Sequence, residues 1–166
     1  MKSVQRIAAA LLVPVLFSIL AAAQTSPAPA RRVALPHGFS VVEASISDMQ
    51  KAMASGRVTS RELVRQYLAR IGTYEPVLHA TLAVNPDALA EADRLDRERA
   101  RGQVRGPLHG IPVALKDNIH TTMMPTTGGA LAFAGLVPPY EATLTANLRN
   151  AGAIIIAKTG DRKSVV

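Results

Sequence analysis

The stretch Gly106-Pro107-Leu108-His109-Gly110-Ile111-Pro112-Val113-Ala114-Leu115-Lys116-Asp117-Asn118 sets one lysine at the end of a short apolar run, behind a turn built from Gly and Pro. Apolar walls around a lysine disfavour its charged form and leave a neutral amine that can accept a proton. The same residue also reads as a strand-end lysine reaching out to water. Period-two alternation puts Ala114 and Lys116 on one face and Val113 and Leu115 on the other. The small Ala114 leaves room beside Lys116 for a partner side chain. Asp117 and Asn118 read either as groups that orient the lysine strand and its neighbouring loops, or as an ordinary strand-end turn.

Other chemistries find little support. The 166 residues contain no cysteine, so neither a disulfide nor a thiolate metal site can form. His37, His79, His109 and His120 are scattered, without the close pairing of a zinc helix. Neither a metal nor a cofactor is expected. The net charge of +7 includes Lys2 and Arg6; without them 17 basic residues stand against 12 acidic. With few aromatics to stack on bases, no nucleic-acid partner is expected.

Residues 1–23 read as a secretory signal: Lys2 and Arg6 are the positive start, Ile7 to Leu20 the apolar stretch, and Ala21-Ala22-Ala23 the cleavage site. The apolar stretch is short for a membrane span and contains Pro14 and Ser18, so cleavage near Ala23 is expected, with no stable membrane association afterwards. A periplasmic or extracellular location follows. Residues 24–44, rich in Pro, Ala, Ser and Thr towards their start, read as a flexible leader.

From residue 45 the chain has a core-forming pattern. Ser47-x-x-Gln50 reads as a capping box for a helix that carries Ile46, Met49 and Met53 and stops at Gly56. Thr59 and Glu62 begin a second helix, with Leu63, Val64, Tyr67, Leu68 and Ile71 as its stripe and Gly72 as its end. Val77 to Val84 is a strand candidate. A helix from Asp87 to Arg101 carries Asp93/Arg97 and Arg94/Glu98 at ion-pair spacing. Its arginines 94, 97, 99 and 101 read as a solvated face or a ligand patch. Val113 to Lys116 is a short strand, Thr143 caps a helix with Leu144 and Leu148, and Ala153 to Ala157 is a buried strand. Alternating strands and helices imply an α/β layer structure.

The Gly106–Asn118 stretch resembles the signature amidases, the Ser-cisSer-Lys amide hydrolases, almost residue for residue. Val58 to Val64, Thr126-Thr127-Gly128-Gly129, Glu141-Ala142-Thr143 and Leu148 to Thr159 resemble further family segments, so the likeness runs in order from about Ile46 to Thr159. It implies that 45–159 is the N-terminal portion of that fold, a mixed sheet flanked by helices, incomplete in this chain. It also implies that Lys116 is the general base of a triad whose two serines lie downstream of the strand ending in Lys158-Thr159. The substrate implied is a small-molecule or peptide amide, of unknown identity, as is the oligomeric state. This chain has no Gly/Ser-rich segment for the serines and departs from the family at Gly160. Asp161-Arg162-Lys163-Ser164-Val165-Val166 and a stop is what GATCGGAAGAGCGTCGTGTAG, a common short-read adapter, encodes. Residues 160–166 are therefore expected to be adapter read-through, with the gene continuing past Thr159 and this chain inactive by itself. The alternative is a small exported binding or structural module without catalysis. A glutamine-using amidotransferase component that works on charged tRNA is a relative to weigh, against which the export signal counts.

Overall fold

The computed structural model describes residues 38–160. The signal at 1–23, the leader up to residue 37 and the tail from 161 lie outside the described residues. The elements run α1 (Ile46–Ala54), α2 (Ser60–Leu78), β1 (Thr81–Val84), α3 (Ala88–Ala100), β2 (Pro112–Lys116), a 3-10 turn (Leu131–Phe133), α4 (Thr143–Asn150) and β3 (Ile154–Thr159). The chain is α/β, with a mixed three-stranded sheet flanked by helices. The strand order is β1-β3-β2, with β1 antiparallel and β2 parallel to the central β3.

The helix boundaries follow hydrogen-bond supply. At α1 the capping box is Ser45/Asp48 and not Ser47/Gln50: Ser45 Oγ accepts from the Asp48 N–H at 3.1 Å, and the Asp48 carboxylate accepts from the Ser45 N–H at 3.1 Å. Gln50 instead donates to the Pro107 carbonyl, tying α1 to the Gly-Pro turn before β2. At α2, Thr59 caps as expected, accepting from the Glu62 N–H at 3.1 Å. The next two orphan donors are met from another element. Asp96 of α3 accepts from the Ser60 N–H at 2.8 Å and the Arg61 N–H at 3.0 Å. We expect Asp96→Ala to lower stability by about 1–3 kcal/mol, and Asp96→Asn, which keeps an acceptor, by less. Urea unfolding midpoints of the two variants check this; equal losses would show that the retained acceptor contributes nothing.

Two expectations about α2 and its successor are corrected. The helix passes Gly72 and Pro76 and ends at His79, whose positive φ of 47° and N–H bond to Glu75 O make the stop. A single glycine costs a helix about 1 kcal/mol and does not end it when the flanking stripe packs. The strand therefore begins at Thr81 and not Val77, with the Thr81 N–H held by the Glu75 carboxylate. In α4 the cap position is Ala142, and Thr143 is the first helical residue. Arg94 pairs with Glu98 as the spacing predicts, whereas Asp93 pairs with Arg61 across to α2.

Apolar packing holds both faces of the sheet. Ile154, Ile156 and Ala157 of β3 pack with Val64 of α2 and with Ala88, Ala92 and Leu95 of α3. Ile155 packs with Leu115 and Met124, against which Leu148 of α4 lies. A third cluster joins Val41, Met49, Met53, Val58, Leu63 and Ile111, so the last residues read as leader, including Phe39 and Ala44, are packed against α1 and α2. Much apolar surface stays uncovered: Leu131 is 90% exposed, with Phe133, Leu136, Val137 and Tyr140 beside it in sequence, and Leu82 and Val84 are open on β1. No described helix is long and apolar enough to cross a membrane.

Candidate active site

The approach to Lys116 is fixed by the loop that the sequence marks with glycine, proline and histidine. His109 is buried, and its Nε2 lies 2.9 Å from Leu95 O, while the Arg105 N–H points at Nδ1 from 3.3 Å. A carbonyl on one nitrogen and a donor on the other assign the neutral tautomer with the proton on Nε2. Arg99 of α3 donates to His109 O at 2.9 Å, so one of the four arginines of the suspected ligand patch is engaged inside the fold. Arg101 donates to Arg97 O, and Arg94 pairs with Glu98. The Gly110 N–H donates to Gly152 O at 2.8 Å, and the Ile154 N–H to Ile111 O at 3.0 Å. Loop and β3 thus aim β2 along the central strand.

Lys116 closes β2 and pairs in register with Thr159. Ala114 and Lys116 are exposed while Leu115 between them is buried with Met124 and Ile155, as the period-two reading requires. Lys116 thus stands on an open face next to a small residue. The lysine that is enclosed is a different one. Lys158, on β3 opposite Leu115, is 0% exposed. Its Nζ donates to Thr126 Oγ1 at 2.8 Å and to Pro125 O at 3.3 Å, and lies 3.6 Å from Asp117 Oδ1. Burial pulls Lys158 below the ordinary lysine range, and the Asp117 carboxylate opposes that pull.

Asp117 is 2% exposed and uses its other oxygen, Oδ2, on the loop. Oδ2 accepts from the Thr127 N–H at 2.9 Å and from the Thr127 hydroxyl, which in turn accepts from the Gly129 N–H at 3.1 Å. Of the two readings of Asp117, the orienting one fits these bonds. Asn118 is exposed and Thr126 buried. A β-bulge explains why Lys158 points here. Val113 pairs with Ile155 and Ala114 with Ala157, leaving Ile156 as an extra residue on β3. Ile156 and Ala157 therefore both pack with α2 and α3, and Lys158 turns to the side of Leu115. Sequence reading assigns Lys158 no role. The available signal is its place at the end of Ile154-Ile155-Ile156-Ala157, a run buried on both faces.

The family model described as Amidase matches residues 62–162, more than half of the chain. The chain belongs to the amidase family. A glutamyl-tRNA(Gln) amidotransferase component from Synechococcus sp. (strain CC9605) is 45% identical to this amidase chain over 116 residues, 69% of this chain and 24% of that one. Among solved structures, the native peptide amidase from Stenotrophomonas maltophilia superposes with a TM-score of 0.68 at 46% identity, covering 70% of this chain and 24% of that one. An amidase family protein from Bacillus anthracis str. Ames superposes with the same TM-score at 34% identity, over 72% of this chain and 24% of that one. The chain spans about a quarter of the length of these relatives. Among the described residues no group of three or more His, Asp or Glu could hold a metal ion.

Proposed function

We propose that this chain is the N-terminal part of an exported amidase that cleaves amide C–N bonds, with Lys116 as general base. The observation that carries the reading is the placement of Lys116: at the end of a strand registered on the central β3, on an open face beside Ala114. The family resemblance places the serine pair beyond Thr159. In the step proposed, Lys116 as base takes a proton from the bridging serine, which takes one from the nucleophilic serine. The nucleophile's oxygen bonds to the carbonyl carbon, the C–N bond breaks, and the nitrogen leaves with the returned proton. Water then cleaves the ester by the reverse proton path. The positive start and short apolar stretch of residues 1–23 support export over a tRNA-dependent amidotransferase role.

The test is ammonia release from a C-terminally amidated dipeptide by the full-length gene product, with glutamine as the competing substrate. Release from the dipeptide supports the reading; glutamine hydrolysis alone would favour the amidotransferase relative. Residues 1–166 by themselves should hydrolyse neither, because the base has no nucleophile to serve. Residues 24–166 alone should also be poorly soluble and show no sharp thermal transition. Leu131, Phe133 and, on the edge strand β1, Leu82 and Val84 expose apolar surface. A monodisperse monomer with one cooperative melt would contradict this and favour a small self-sufficient module.

A further inference from the structure

We propose that Lys158 and Asp117 form a buried positioning device that locks the Thr126–Gly129 loop to the end of the Lys116 strand; this rests on the amidase reading above. Three observations carry it. First, the ammonium makes two hydrogen bonds and an ion pair at this junction: Nζ donates to Thr126 Oγ1 and Pro125 O and faces Asp117 Oδ1. Second, Asp117 joins the two sides. Its backbone N–H donates to Thr159 O at 2.9 Å in the sheet, while its carboxylate holds the Thr127 N–H and hydroxyl in the loop. Third, the bulge at Ile156 aims Lys158 at this junction and away from the α2/α3 side.

The chemistry explains why a charged pair stands where apolar packing would be at least as stable. A methionine could fill the volume of Lys158 but could not grip a carbonyl, a hydroxyl and a carboxylate at once. A buried ion pair adds little net stability over an apolar pair of the same shape, but it admits one arrangement of its partners. Here those partners are residue 117, directly after Lys116, and the loop beginning at Pro125. The device therefore fixes where the loop edge stands relative to the Lys116 amine, and Lys158 acts through Asp117 without touching the reacting atoms.

The test uses the full-length enzyme and the double variant Lys158→Met/Asp117→Asn, which removes both charges and leaves neither unpaired. We expect its melting temperature to match wild type. Amide hydrogen exchange at Thr127, Gly128 and Gly129 should be faster by about tenfold or more, as a charge-assisted hold on the loop is lost. With the amidated dipeptide, kcat should fall by about 10²-fold while KM stays within about twofold, the mark of misplaced groups rather than lost binding. The single variant Lys158→Met should lose both melting temperature and kcat. Wild-type loop exchange in the double variant overturns the proposal, and so does a loosened loop with unchanged kcat. Exchange is read without substrate, so an enzyme inactive on the dipeptide still tests the lock, while only the activity measurement bears on the amidase reading.

Discussion

Lys116→Arg in the full-length enzyme should reduce the acylation rate by about 10²–10⁴-fold, nearly as much as Lys116→Ala. Arginine preserves length, positive charge and hydrogen-bond donors, but its guanidinium stays protonated and cannot take the serine proton. The fold should be unaffected, because Lys116 is exposed at a strand end while the buried Leu115 anchors the strand. Pre-steady-state release of the first amine, compared across wild type, Lys116→Arg and Lys116→Ala, makes the measurement. An arginine variant that keeps substantial activity would make Lys116 a positional cation and end the general-base mechanism.

Gly152→Ala should be among the most destabilising single substitutions in the described region. Gly152 has φ +87°, and an added Cβ would lie 2.7 Å from His109 Cα and 3.1 Å from its Nδ1. The left-handed backbone costs a side chain about 1–2 kcal/mol. Forcing apart two backbone segments costs about 1–3 kcal/mol more. Since His109 is pinned at both nitrogens and by Arg99, it has no direction in which to yield. The total, about 2–5 kcal/mol, is a large part of the roughly 5–15 kcal/mol that holds a typical domain together. Gly56→Ala is the control, with φ +69° and nothing within 4 Å, so it incurs the backbone cost alone. Urea midpoints for the two variants separate strain from collision. Equal losses would mean that the His109 loop gives way.

Local chemistry was legible in the sequence where it is carried by neighbouring residues. The Thr59 cap, the α2 stripe, the α3 helix and the β2 alternation around Lys116 all depend on contacts within a few positions. The placement of the sheet faces was less so. Period-two reading sets Lys158 with Ile154 and Ile156, and only the extra residue at the Ile156 bulge sends it to Asp117. Bulges arise from pairing between strands, which a single strand's pattern does not encode. The second capping partner of α2 was hidden for the same reason, since Asp96 lies 36 residues from Ser60. The extension of α2 through Pro76 is not legible in the sequence, since Gly72 reads as a stop, whereas tertiary packing outweighs a cost of about 1 kcal/mol. The neighbours of Lys116 imply apolar walls about it, whereas among the described residues the enclosed lysine is Lys158 and Lys116 is exposed.

The strand order β1-β3-β2 has a consequence for timing. Among the described strands the middle one is made after both of its neighbours, so β1 and β2 can pair with it only once Ile154–Thr159 leaves the ribosome. At ordinary synthesis speeds the wait between Thr81 and its partner Thr159 is on the order of ten seconds. The α1–α3 helices can form within that interval, since their contacts are local, but the sheet cannot begin. Nascent chains are therefore most exposed to aggregation between the appearance of β1 and that of β3. A pause in translation before residue 154 would lengthen that hazard, and one after residue 159 would find β1 and β2 already joined through β3.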